Sequence, residues 1–192
     1  LRKFAAYFNP SEKPYNVWLD QYERGLTMEK LDVFFGQLKE TIVPLLRRIQ
    51  AKGAQIDDSF LKQDFPVDRQ RVFSDYLMEV MGIDRKHCGI GETEHPFTID
   101  FNKDDVRITT KYHPDDMTSS MYSVIHEGGH ALYELHTGEE LRYTCLGSGV
   151  SMGIHESQSR LFENIIGRSE AFIDRIFPKL KELFPDPFRQ VD

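Results

Sequence analysis

The chain has 192 residues, enough for a sizeable core, and at 40% hydrophobic and 29% charged it has the balance of an ordinary globular protein. A net charge of −7 argues against a general nucleic-acid binder, which would present a basic surface. No apolar run approaches the roughly 20 residues of a membrane span, and the opening "LRKFAAYFNP" has no signal-peptide pattern. Two distant cysteines, Cys88 and Cys145, exclude a disulfide scaffold and make reduced thiols in a cytoplasmic setting the expectation.

The N-terminal half reads as helices. "PYNVWLDQYERG" has proline near its start and glycine at its end. "TMEKLDVFFGQLKETIVPLLRRIQAKG" sets Leu31, Phe34, Phe35, Leu38, Ile42, Leu45, Leu46 and Ile49 at three- and four-residue steps, which predicts one buried face with a kink before Pro44. "FPVDRQRVFSDYLMEVMG" repeats the logic, from Pro66 in a first turn to Gly82 as a stop. The pattern then changes to "HPFTIDF" and "DVRITTKY", β-branched and aromatic runs joined by "NKDD", which predict a hairpin. Helical period returns at Met117 and, after the glycine-rich loop "GSGVS", runs through two more helices to about Phe184. The expected fold is mainly α, with a small antiparallel sheet. The ends suggest a segment of a longer protein, since the chain starts at Leu1 and stops soon after an amphipathic stretch.

Within the helix after Met117 lies "HEGGH". Residues four apart on a helix project from nearly the same side, so His126 and His130 can reach one metal ion. Glu127 is rotated off that direction, where its carboxylate can act as a general base. Met121, Val124, Ile125, Leu132 and Leu135 form the face expected to pack inward. Gly128 and Gly129 each weaken a helix by about 1 kcal/mol against alanine, which points to a close approach to the backbone. A catalytic zinc site takes a third protein ligand. Glu156 and His155, at the start of the next amphipathic helix, are rivals for it, because adjacent helix residues point about 100° apart. Leu161, Phe162, Ile165 and Ile166 mark the expected buried side of that helix.

Together, "HEGGHALYE", "HESQSR", "HPF" at His95–Phe97 and "DVRIT" at Asp105–Thr109 resemble the carboxypeptidase Taq family, peptidase family M32, in the order of its motifs. "LDQYERGLTMEKLDVFF" is also similar. The resemblance implies a helical metallopeptidase domain of the zincin (gluzincin) kind, its small sheet beside the active-site helix. It implies that His126, His130 and Glu156 hold Zn²⁺, with Co²⁺ as an alternative, that Glu127 is the base, and that His155 stands nearby. It points to Arg107 and His95 as cleft residues. The expected activity is removal of C-terminal residues from peptides by a longer, homodimeric, cytoplasmic enzyme, of which residues 1–192 form a single catalytic-core segment. The family's later motifs, I-R-x-x-A-D and G-x-x-Q-D-x-H-W, have no counterpart in this sequence. A helical zinc endopeptidase and a metal-binding but inactive segment are the competing expectations.

Overall fold

A computed structural model describes residues 1–53, 57–189 and 191. These divide into two compact units, one of residues 1–57 with 151–153 and the other of 58–150 with 154–192.

In the first unit, α1 spans Arg2–Phe8, α2 Pro14–Tyr22 and α3 Met28–Lys52. Asn16 of α2 ties α2 to the start of α3. Its amide donates to Glu29 at 3.3 Å, and its oxygen accepts from the Met28 N–H at 2.9 Å. Thr27 caps α3, and Gly53, at φ 60°, ends it in the left-handed region where a side chain would be strained. The apolar stripe expected to be buried is not: α3 buries no residue, and Phe34, Phe35, Ile42, Leu45 and Leu46 are all exposed. Helical period shows that a face is apolar. Among the described residues nothing covers that face, so the period alone was a poor guide to burial.

The second unit is built around α5 (Met117–Leu135). Before it come α4 (Val67–Val80) and three strands, β1 (Cys88–Glu92), β2 (Thr98–Asn102) and β3 (Asp105–Thr110). The expected hairpin is β2–β3, antiparallel, with Ile99 opposite Arg107. β1 adds a strand that the sequence pattern did not announce. It pairs parallel to β3, so the sheet is mixed, in the order β1-β3-β2, with β2 at an edge. Val106 and Ile108 of β3 are fully buried in one core with Leu77, Met78, Met121, Val124 and Ile125. Gln70 joins α4 to α5: its amide donates to the carbonyls of Phe65 and His113 at 2.8 and 2.7 Å, and its oxygen accepts from Ser120 at 2.7 Å. Every polar atom of that buried side chain is thereby satisfied.

After α5 the chain forms α6 (Met152–Arg160), a π-helical turn (Leu161–Ile166) and α7 (Glu170–Leu183). The π turn closes on the bond from the Gly167 N–H to the Phe162 carbonyl, 2.7 Å. It also corrects the expected buried side. Phe162 and Ile166 are partly covered, while Leu161 and Ile165, one position earlier in each pair, are exposed.

Candidate metal centre

Asp116 caps α5 by accepting from the Ser119 N–H at 3.2 Å, and the helix then runs unbroken through His126, Glu127 and His130. One ligand atom each from His126, His130 and Glu156 lies within 4.8 Å of the others. Oε2 of Glu156 is 3.6 Å from Nε2 of His126 and 3.3 Å from Nε2 of His130. A tetrahedral ion with bonds of roughly 2.0–2.1 Å sets its ligand atoms roughly 3.3–3.4 Å apart, so this donor set fits a zinc-sized ion.

One of the two glycines of the motif, Gly129, explains how Glu156 comes so close. A Cβ on Gly129 would stand 2.8 Å from the backbone Cα of Ser159 and 3.2 Å from the Gln158 carbonyl. A Cβ on Gly128 would meet Met81 at 2.7 Å on the other side. Both are packing glycines, and Gly129 lets α6 approach α5 backbone to backbone.

Each histidine is held from behind. Nδ1 of His126 is 2.9 Å from Oε2 of Glu163, on the π turn. Arg160 and Arg168 donate to that carboxylate at 3.1 and 3.2 Å, and the Arg168 guanidinium sits 3.8 Å over the Tyr122 ring. Burial pushes the Glu163 pKa up, but His126 and the two arginines outweigh it and hold the group below the usual carboxylate range. Nδ1 of His130 faces His155, which in turn faces Glu134. Burial, and the neighbouring His155 and His126, depress His130 to about 4, so it is a neutral donor near neutral pH. The hydrogen bond to Glu134 raises His155.

Glu127 is buried, and burial raises its pKa against the opposing pull of Thr98 and His126. The Thr98 hydroxyl, on β2, is 2.6 Å from Oε2 of Glu127 and 3.1 Å from its backbone carbonyl. Glu156 also accepts from Arg160 at 2.7 Å and Ser159 at 3.0 Å, which counter the effect of burial and lower its pKa.

The remaining sequence candidates, Arg107 and His95, are both exposed. Arg107 alternates with buried Val106 and Ile108, so it points to the exposed face. There it forms a two-pronged pair with Asp105, both contacts 2.9 Å, and lies 4.7 Å over the Phe101 ring. His95 is exposed between β1 and β2, its carbonyl accepting from Thr93 at 2.9 Å. Tyr133 packs edge-on against His155 at 4.9 Å, whereas Tyr143 is 80% exposed. Cys88 is buried, with its thiol pushed up to about 11 by desolvation, and both cysteines are free. Reading the sequence did not single out Thr98, Glu134 or Glu163. Glu134 was within reach of it, one helical turn after His130, as was Glu163, two turns after Glu156.

A helix-rich core carrying two histidines and a glutamate on adjoining helices, with a buried glutamate beside them, defines a metallopeptidase class of site. The family model of the carboxypeptidase Taq (M32) metallopeptidases matches residues 1–192, and the chain belongs to that family. It is 40% identical over 190 residues to carboxypeptidase 1 of Bacillus subtilis (strain 168), covering 99% of this chain and 38% of that protein. It is 41% identical over 185 residues to thermostable carboxypeptidase 1 of Thermus thermophilus, covering 94% of this chain and 36% of the relative. Among solved structures, the M32 carboxypeptidase of Deinococcus radiodurans R1 superimposes with a TM-score of 0.93 at 37% identity, over all of this chain and 38% of that one. The chain therefore spans little more than a third of the length of the relatives it matches.

Proposed function

We propose that this chain is the catalytic-core segment of a longer zinc carboxypeptidase, with His126, His130 and Glu156 as metal ligands and Glu127 as general base. The observation that carries the reading is the convergence of three donor atoms within 4.8 Å of one another beside a buried carboxylate. Two imidazoles and a carboxylate suit zinc, and cobalt(II) is the expected substitute. A zinc ion held there supplies a Lewis acid that polarises the scissile carbonyl and acidifies water.

The protein's own groups do the rest. Glu127 takes a proton from the attacking water and hands it to the leaving amine. Burial lifts its pKa toward the working range of such a base. Thr98 holds one carboxylate oxygen of Glu127, which leaves the other to meet the water. Among the described residues β2 is an edge strand, along which an extended peptide can lie as an added strand. Arg107 and His95, both exposed, are assigned to the substrate cleft. On the family resemblance we place the longer protein in the cytoplasm as a homodimer. No helix among the described residues is long and apolar enough to cross a membrane.

Peptides with free and with amidated C-termini, incubated with zinc and the protein that carries this chain, test the reading. Release of single residues from free termini only is expected. Equal cleavage of both sets would favour the endopeptidase alternative. Stoichiometric zinc binding without any turnover would leave the chain a metal-binding segment.

A further inference from the structure

His130 can serve a metal only if its Nε2 is unprotonated and its ring faces Glu156, and both depend on what holds Nδ1. That atom lies 2.6 Å from Nδ1 of His155, and Nε2 of His155 lies 2.6 Å from Oε1 of Glu134. Glu134 is only 4% exposed, and among the described residues its ion-pair partner is His155. Its other oxygen, Oε2, is buried without a hydrogen-bond partner, and Ser148 adds a long contact of 3.4 Å to Oε1. A buried carboxylate held this sparingly is a poor source of stability. The surrounding loop is nevertheless shaped to keep the imidazole in place. A Cβ on Gly149 would lie 2.5 Å from Cδ2 of His155, and the Tyr133 ring meets His155 edge-on.

Counting hydrogens along the chain leaves one arrangement for neutral rings. The carboxylate only accepts, so the hydrogen of His155 is on Nε2. Its Nδ1 is then bare and must receive the Nδ1–H of His130. The bare nitrogen of His130 is therefore Nε2, the atom 3.3 Å from Oε2 of Glu156.

We propose that Glu134 and His155 are positioning residues, a carboxylate–imidazole–imidazole relay that fixes the ring orientation and tautomer of His130 for the metal. The proposal rests on the reading of the cluster as a metal centre, and neither residue touches substrate. His126 reaches its carboxylate directly, and His130 reaches one through a second imidazole.

The test uses the protein that carries this chain, stripped of metal and titrated with Zn²⁺ against a chromophoric chelator in mildly alkaline buffer. Histidine ¹⁵N spectra of the metal-free protein report the tautomers. His155→Leu and Glu134→Gln are expected to weaken zinc binding about 10–100-fold at unchanged circular dichroism. In both variants His130 should pass from a single Nδ1–H tautomer to a mixture. His155→Asn keeps an acceptor near the Nδ1 position and should recover most of the lost affinity. If Glu134→Gln does not fold, the two His155 variants decide the question. Variants that bind zinc within about two-fold of the unaltered chain, with His130 still in one tautomer, would overturn the relay. An unaltered chain that binds no zinc would overturn the metal-centre reading instead.

Discussion

Helices α3 and α5 have similar credentials in sequence, each with apolar residues at helical steps, and opposite fates in the structure. α5 buries eleven of its nineteen residues, among them Val124, Ile125 and Glu127, whereas α3 buries none of its twenty-five. The difference lies in what each helix meets. α5 has a sheet on one side and α6 close against Gly129 on another, while the face of α3 is uncovered by any described residue. An apolar stripe tells which face of a helix avoids water, and only the surrounding chain tells whether it succeeds.

The contrast can be broken most sharply at Glu127. Replacing it by glutamine removes the proposed base and should lower zinc-dependent peptide hydrolysis about 10²–10⁴-fold, with zinc content unchanged. Undiminished turnover in that variant would remove Glu127 from the chemistry. Core packing comes next. Ile125→Ala, at a site with no exposure, should cost about 2–5 kcal/mol in denaturant unfolding, while Leu46→Ala on α3, 51% exposed, should stay within about 0.5 kcal/mol. Equal costs would mean that the α3 face is covered in solution, and sedimentation would then distinguish cover by a second copy from cover by the rest of the longer protein. Gly129→Ala sets a methyl against the α6 backbone. It should cost about 1–3 kcal/mol and weaken zinc binding by moving Glu156, a pairing of effects that chelator competition would detect.

The last expected effect is on pH dependence. In the metal-free chain, His130 titrates at about 4, below the ordinary 6.5. As pH falls, the unfolded chain therefore takes up its proton first. The stability contributed by neutral His130 is full above about 6.5 and declines as pH drops through about 4. Urea midpoints followed across that window should fall in the unaltered chain and flatten in His130→Asn. A slope identical in the two proteins would show that His130 does not titrate as described.

Much of the site could be read in advance because its chemistry is local. The His126–Glu127–His130 spacing needs only a helix, and the β2–β3 hairpin needs only two β-branched runs and a polar turn. The supports were harder to see. Thr98 reaches Glu127 across 29 positions, a contact made by tertiary packing. β1, "CGIGE", has two glycines and little β propensity, and it is held as a strand by pairing with β3. Gly128 and Gly129 were legible as sites of close approach, but only the structure identifies Met81 and the α6 backbone as what approaches. Helical period also assumed α winding after Arg160, where the chain winds wider.

That wider turn bears on how many protein atoms a bound cation can collect. In an α-helix, residue 168 would sit about 140° round from residue 163. With the π turn between them, Arg168 reaches back to Oε1 of Glu163 while Arg160 takes Oε2. A carboxylate clasped by two guanidiniums and an imidazole is not free to swing inward as a fourth donor. In the proposed centre, the winding of these six residues would thus keep Glu163 out of the donor set and leave the protein's share to His126, His130 and Glu156.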